Sequence, residues 1–308
     1  MRNVDLSTRV GSVELANPVM TASGTSGHGA ELAAYFDLSE LGAVVVKSLS
    51  AEPWAGNPPA RLVPVDAGML NSVGLQGPGV EAWMESELPA LAATGARVVA
   101  SVWGQSVDGY AKAAEMLASA PPAVVAVEVN VSCPNIEDRR RMFAHSPAAT
   151  AEAVEAAAAC LRPRWAKLSP NVTDLVEIAG AAIGGGAEAL TLVNTVMGMV
   201  IDPERHRPVL GAGGGGLSGG AIRPVAVRAV YECRAAFPDC PIVGVGGISR
   251  GEHVAEMMMA GADAVEVGTA TFADPRAPRR VLAEFHRWCT RHNVLKSSQL
   301  TGAAHDRH

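Results

Sequence analysis

Eight short runs of Val, Ile, Leu and Ala, with stretches of helical spacing between most of them, constrain this chain more than any other feature. They lie at Val19–Ala22, Ala43–Lys47, Arg97–Val102, Val125–Asn130, Trp165–Leu168, Ala189–Val193, Ile242–Gly246 and Ala264–Gly268. Most are near-continuously apolar, the pattern of strands in a parallel sheet covered on both faces. The spacing predicts helices over Val80–Ala93, Val107–Ala118, Pro147–Cys160, Thr173–Ile183, Ile222–Phe237, Arg250–Ala260 and Pro278–Arg291, with a weaker one over Ala30–Phe36. Ser146-Pro147 supplies an N-cap and a first helical residue, and Gly261 ends its helix. Eight strand–helix units in 308 residues predict an α/β fold of the (β/α)₈ TIM-barrel type. An open doubly wound sheet is the competing arrangement.

Leu6 to Leu15 reads as a short hairpin around Gly11-Ser12 that could plug the barrel bottom. No linker, charge block or low-complexity stretch marks a second domain, so residues 1–308 are expected to form one barrel, the last few being a disordered tail. Two long insertions, Ser48–Gly79 after strand 2 and Met197–Gly220 after strand 6, fall where a barrel places its βα loops, on the face that carries active sites. A shorter one follows strand 4.

Composition narrows the partners. With 25 basic and 31 acidic residues the net charge is −6, against a nucleic-acid surface. Aromatics at 4% argue against base-stacking platforms, and 48% hydrophobic residues exclude general disorder. No apolar run reaches membrane-spanning length and Met1–Asp5 has no apolar leader, so no membrane and a cytoplasmic location are expected. The five cysteines, Cys133, Cys160, Cys233, Cys240 and Cys289, include no CxxC pair and read as reduced thiols.

Polar residues gather at the strand ends: Ser23, Lys47, Ser101, Asn130, Lys167, Asn194, Gly246 and Gly268. A lysine closing an apolar strand is costly to bury without a partner, and the pair Lys47 and Lys167 points to a site that holds negative charge. Either alone could simply reach solvent at the rim. The glycines of Val245-Gly246-Gly247 and Val267-Gly268-Thr269, after strands 7 and 8, suit either a phosphate or tight turns. Gly213 to Gly220 reads as a flexible lid, a backbone cradle or a plain connector. The sharpest segment is Asn130-Val131-Ser132-Cys133-Pro134-Asn135, which leaves strand 4 and puts a thiol between carboxamides, fit for a nucleophile or base. No histidine adjoins it; His145 and His206 lie on loops the sequence does not place.

That segment resembles the signature of the class 1 dihydroorotate dehydrogenases. The likeness runs over nearly the whole chain, through Asn17-Pro18, Ala22-Ser23-Gly24, Lys47-Ser48, Asn71-Ser72-Val73-Gly74-Leu75-Gln76, Lys167-Leu168-Ser169-Pro170, Asn194-Thr195, Leu217-Ser218-Gly219, Gly246-Gly247 and Gly268-Thr269. Gln76, and a loop after Asn135 without Pro-Gly-Lys-Pro-Gln, look like the 1B type rather than the fumarate-using 1A type. Cys133 and the lack of an N-terminal extension are unlike class 2, which uses serine as base.

The resemblance implies one flavin mononucleotide (FMN), its phosphate on Gly246, Gly247, Gly268 and Thr269. Ser23, Lys47, Ser48, Ser101, Asn130, Lys167, Val193 and Gly219 would line the rest, with Lys167 near the flavin N1/O2 edge. Dihydroorotate, oxidised to orotate in pyrimidine biosynthesis, would lie against Lys47, Asn71, Ser72, Val73, Gly74, Leu75, Asn130, Asn135, Asn194 and Thr195. Cys133 would take the C5 proton, with Lys47 beside the substrate, while hydride leaves C6 for flavin N5. Electrons would pass to NAD through a separate subunit carrying FAD and a 2Fe-2S cluster, on a homodimer core. No cysteine cluster here offers the four ligands of such a centre.

The sequence departs from its relatives at Ser101, where they commonly have Asn, and over Ile136–Ser146, which carries Arg139-Arg140-Arg141. Competing readings are a related FMN-dependent dihydropyrimidine oxidoreductase, a 1A-type enzyme, a lyase using Lys47 or Lys167 as a Schiff base, and a non-catalytic scaffold.

Overall fold

A computed structural model describes residues 4–133 and 142–305. All eight expected strands form: β1 (Val19–Thr21), β2 (Val44–Val45), β3 (Val98–Val102), β4 (Val124–Asn130), β5 (Arg164–Leu168), β6 (Ala189–Leu192), β7 (Ile242–Val245) and β8 (Ala264–Val267). Each pairs in parallel with its neighbours from β2 round to β8 and on to β1, and a parallel bridge between Met20 and Ala43 brings β1 back to β2. The sheet therefore closes into a barrel, and the open-sheet alternative is excluded.

The helices follow the expected order: α1 (Val80–Ser86), α2 (Leu88–Ala93), α3 (Val107–Leu117), α4 (Pro147–Ala156), α5 (Leu175–Gly184), α6 (Arg223–Ala236), α7 (Gly251–Ala260), α8 (Ala270–Ala273) and α9 (Ala277–Arg291). The single helix expected over Val80–Ala93 is two, because Pro89 has no N–H for the Glu85 carbonyl and interrupts the ladder. Around Ala30–Phe36 only a 3₁₀ turn forms, Glu31–Ala34, and the Glu31 carboxylate accepts the N–H groups of His28 and Gly29. The Ser146 hydroxyl caps α4 by accepting from the Ala149 N–H, as expected.

Inward positions repeat every second residue along a strand, so the barrel interior is layered. Its lowest layer is apolar, with Met20, Val45, Val99, Ala126, Trp165, Ala189, Val243 and Ala264 in one cluster. The hairpin Thr8–Val10 with Val13–Leu15 adds Val10, Val13 and Leu15 to that cluster, and so plugs the bottom as expected. Two residues further along four of these strands stand Ser101, Glu128, Lys167 and Glu266, all buried. The second layer is thus polar and charged.

At the C-terminal end the two long insertions meet. Leu62–Val65 and Gly68–Asn71 from the first, with Val196–Gly198 and Gly215–Ser218 from the second, form a four-stranded antiparallel sheet. The glycine-rich stretch is therefore neither lid nor connector in this part: Gly215–Ser218 is a strand between two others. Its glycines permit the close approach, since a Cβ on Gly215 would collide with the Asn71 carbonyl and one on Gly216 with the Thr195 side chain. Gly216→Ala should accordingly cost about 1–3 kcal/mol by overpacking, read as a lower midpoint of thermal unfolding. An unchanged midpoint would contradict this packing. No helix among the described residues is long and apolar enough to cross a membrane.

Candidate active site

A cavity of about 540 Å³ opens at the C-terminal end of the barrel, between the strand ends and the four-stranded sheet. A more open groove of about 920 Å³, between residues 4–7 and α9, contains none of the strand-end residues. The cavity collects nearly every residue singled out from sequence: Ser23, Lys47, Ser48, Asn71, Ser72, Val73, Gly74, Leu75, Asn130, Lys167, Val193, Asn194, Thr195, Gly219, Gly246, Gly247, Gly268 and Thr269.

Asn130 ends β4 and Asn194 lies two residues beyond β6. The Asn194 amide donates to Asn130 Oδ1 at 3.1 Å, and the Asn130 amide donates to Ser48 Oγ at 3.2 Å. The two carboxamides thus have fixed orientations and present both donor and acceptor edges. Thr195 is held in turn: its N–H donates to Asn194 Oδ1 at 2.8 Å and its carbonyl accepts from the Asn171 amide at 2.9 Å. Asn71, paired across to the glycine strand, donates to the Gly216 carbonyl at 3.2 Å.

One end of the cavity is a cluster of backbone donors. Gly219, Gly246 and Gly247 have φ of +96°, +138° and +71°, a region that favours glycine. Among the described residues, the N–H groups of Gly246, Gly247, Gly268 and Thr269 donate to no protein acceptor. Unpaired backbone N–H groups at the ends of β7 and β8 are the donors a phosphate requires. The residues present therefore fit a phosphate-bearing cofactor.

The two lysines differ. Lys47 is half-buried, and no carboxylate pairs with it among the described residues. Burial, helped by the Arg61 guanidinium, lowers its pKa. It brings an unbalanced positive charge to the cavity wall. Lys167 is 4% exposed on the floor, its Nζ 3.0 Å from Glu266 Oε2 and 3.5 Å from Glu128 Oε1. Burial works against its ammonium, but the two glutamates outweigh it and the pKa is raised.

Two expected residues, Ser101 and Cys133, do not reach the cavity wall. Ser101 is fully buried one layer down, where its hydroxyl donates to Glu128 Oε1 at 3.0 Å and meets Ser48 Oγ at 2.9 Å. A buried carboxylate needs donors, and that need turns Ser101 away from the cavity. Cys133 is 0% exposed, and its Sγ donates at 3.3 Å to the Asn130 carbonyl, which also accepts from the Tyr110 hydroxyl at 2.7 Å. Burial pushes its thiol up to about 12, against the lowering effect of the Tyr110 hydroxyl. Asn135, with Arg139-Arg140-Arg141, lies outside the described residues.

Sequence reasoning overlooked several lining residues: Trp54, Asn57, Trp103, Asn171 and Phe272. The first four sit in loops whose path no periodicity fixes, and Phe272 lies in the one-turn α8. Ser132, within the Asn130–Asn135 segment, lines the cavity, and its buried Oγ has no partner among the described residues. Glu128 and Glu266 were missed although each carried a signal, a lone acid in an apolar run two residues before a strand-end site residue.

The sequence profile of the family described as Dihydroorotate dehydrogenase matches residues 5–288. A relative from Desulforudis audaxviator (strain MP104C), named "Dihydroorotate dehydrogenase B (NAD(+)), catalytic subunit", is 47% identical over 303 residues, 98% of each chain. Relatives of the same name from Geobacter sp. (strain M21) and Alkaliphilus oremlandii (strain OhILAs) are 44% and 43% identical over 304 and 303 residues, 98% of this chain and 99% of theirs.

Proposed function

Since the chain belongs to the dihydroorotate dehydrogenase family, whose members are FMN-dependent oxidoreductases, we propose that it oxidises dihydroorotate to orotate with FMN in this cavity. One observation carries the reading: the unpaired N–H groups of Gly246, Gly247, Gly268 and Thr269 open on the same cavity as the fixed Asn130 and Asn194 carboxamides. The first set suits the cofactor phosphate, together with Gly219, and the second suits a pyrimidine ring that both donates and accepts.

Lys47 supplies the charge for the substrate carboxylate, and Asn71 to Leu75 with Thr195 enclose the ring. When bound, FMN supplies the acceptor for the hydride leaving substrate C6. Cys133 removes the C5 proton. That role needs Sγ to leave the Asn130 carbonyl and enter the cavity that its neighbour Ser132 already lines. A second reading, favoured by the unpartnered Ser132 hydroxyl, gives Ser132 the proton transfer. The relatives' names point to NAD as final acceptor and to a further subunit; for this chain we infer an iron–sulfur FAD subunit on a homodimer core.

Purified protein should be yellow, and anaerobic dihydroorotate should bleach it. A colourless protein that takes up no FMN would overturn the reading. Bleaching by dihydrouracil but not dihydroorotate would move the activity to another dihydropyrimidine. Reoxidation by fumarate, with no co-purifying flavoprotein, would replace NAD as acceptor.

A further inference from the structure

The polar layer under the cavity floor has a charge problem. It places two carboxyl groups, Glu128 on β4 and Glu266 on β8, against one ammonium, Lys167 on β5, with all three buried. Barrel interiors of this kind are ordinarily filled by branched apolar side chains, and buried charges are costly unless balanced. Both carboxylates ionised would leave a net charge of −1. Among the described residues, Lys167 is the one cation paired with either acid, so no further cation there settles the balance.

The hydrogen bonds point to the resolution. Glu128 Oε1 accepts from Ser101 and Lys167, and Glu266 Oε2 accepts from Lys167. Each acid then has one buried oxygen, Glu128 Oε2 and Glu266 Oε1, with no donor among the described residues. Both carboxyl groups lie against the same Lys167 Nζ, at 3.5 and 3.0 Å. A proton on one is the donor the other lacks.

We propose that Glu128 and Glu266 share a single proton beneath Lys167, and that this pair, by balancing the lysine's charge, sets the electron affinity of the flavin on the cavity floor. The second half rests on the FMN reading above. Burial and the neighbouring Glu128 both push the Glu266 carboxyl well above the usual carboxylate range, with Lys167 pulling the other way. Lys167 alone would favour negative charge arising above it. The acid pair offsets that pull, and because either acid can carry the negative charge, losing one leaves the balance intact. Glu128 and Glu266 are thus positioning residues that act through Lys167.

The test combines infrared spectra with flavin potentials. The protein without flavin should show the carbonyl band of a buried protonated carboxyl, and Glu128→Gln and Glu266→Gln should each abolish it, the remaining acid then being ionised. With FMN bound, each single variant should keep the two-electron reduction equilibrium within about threefold of the starting protein. The double variant should raise it at least about tenfold, roughly 30 mV for a two-electron couple. Absence of the band, or single variants that each shift the potential and sum to the double, would overturn the shared proton. A band with no flavin uptake would keep the proton and overturn the functional reading. If the double variant does not fold, the single variants and the band still decide.

Discussion

Cys133→Ala is expected to slow anaerobic bleaching by dihydroorotate by roughly 10²–10⁴-fold, the range of a lost general base, with FMN still bound. Flavin retention follows from position, since the thiol lies outside the cavity lining. In its observed place the group is protonated at neutral pH, because burial pushes it up to about 12. A base must be deprotonated to act, so the bleaching rate of the starting protein should rise with pH across the neutral and alkaline range. Ser132→Ala is the control. If Cys133 is the base, this variant should keep most of the rate and the same pH trend. A rate unchanged in Cys133→Ala and lost in Ser132→Ala would transfer the proton step to the serine that already faces the cavity.

What could be read from the sequence divides along physical lines. Strands whose inward and outward faces are both apolar, such as Ile242–Val245, declare themselves because burial on two sides favours a continuous apolar run. Site residues fixed to strand ends, such as Asn130, Lys167 and Gly268, were found for the same reason: the barrel dictates where they emerge. Residues further along the loops were harder. Nothing in Gly213–Gly220 says that it pairs with Gly68–Asn71, because that register is set by contacts between insertions more than a hundred residues apart. Ser101 was assigned to the cofactor by analogy with a longer side chain. Its hydroxyl is drawn down by Glu128, an acid that local pattern hides among valines. The direction of the Cys133 side chain is equally invisible in sequence, since Sγ shares the Asn130 carbonyl with Tyr110 from α3, more than twenty residues earlier.

Lys167→Met should be among the most damaging single changes to the fold, at a cost of about 3–5 kcal/mol at neutral pH. The side chain is of similar length, so little volume is lost; what is lost is the one cation, among the described residues, paired with two buried carboxyl groups. Glu266 already has a raised pKa in the folded protein, and Lys167 is the influence that lowers it. Without the lysine Glu266 should move further above the unfolded glutamate value of about 4.3. A raised carboxyl binds more protons folded than unfolded. Stability therefore falls as pH rises from the unfolded value to the raised folded one, by up to about 1.4 kcal/mol per pH unit for each proton. The variant's deficit should be greatest at neutral pH and shrink as the solution is acidified below the unfolded value, where Glu266 is protonated in either state. Urea unfolding at about pH 5 and about pH 8 would measure this. A deficit that grows on acidification, or none at neutral pH, would mean that Lys167 does not balance the acids beneath the cavity.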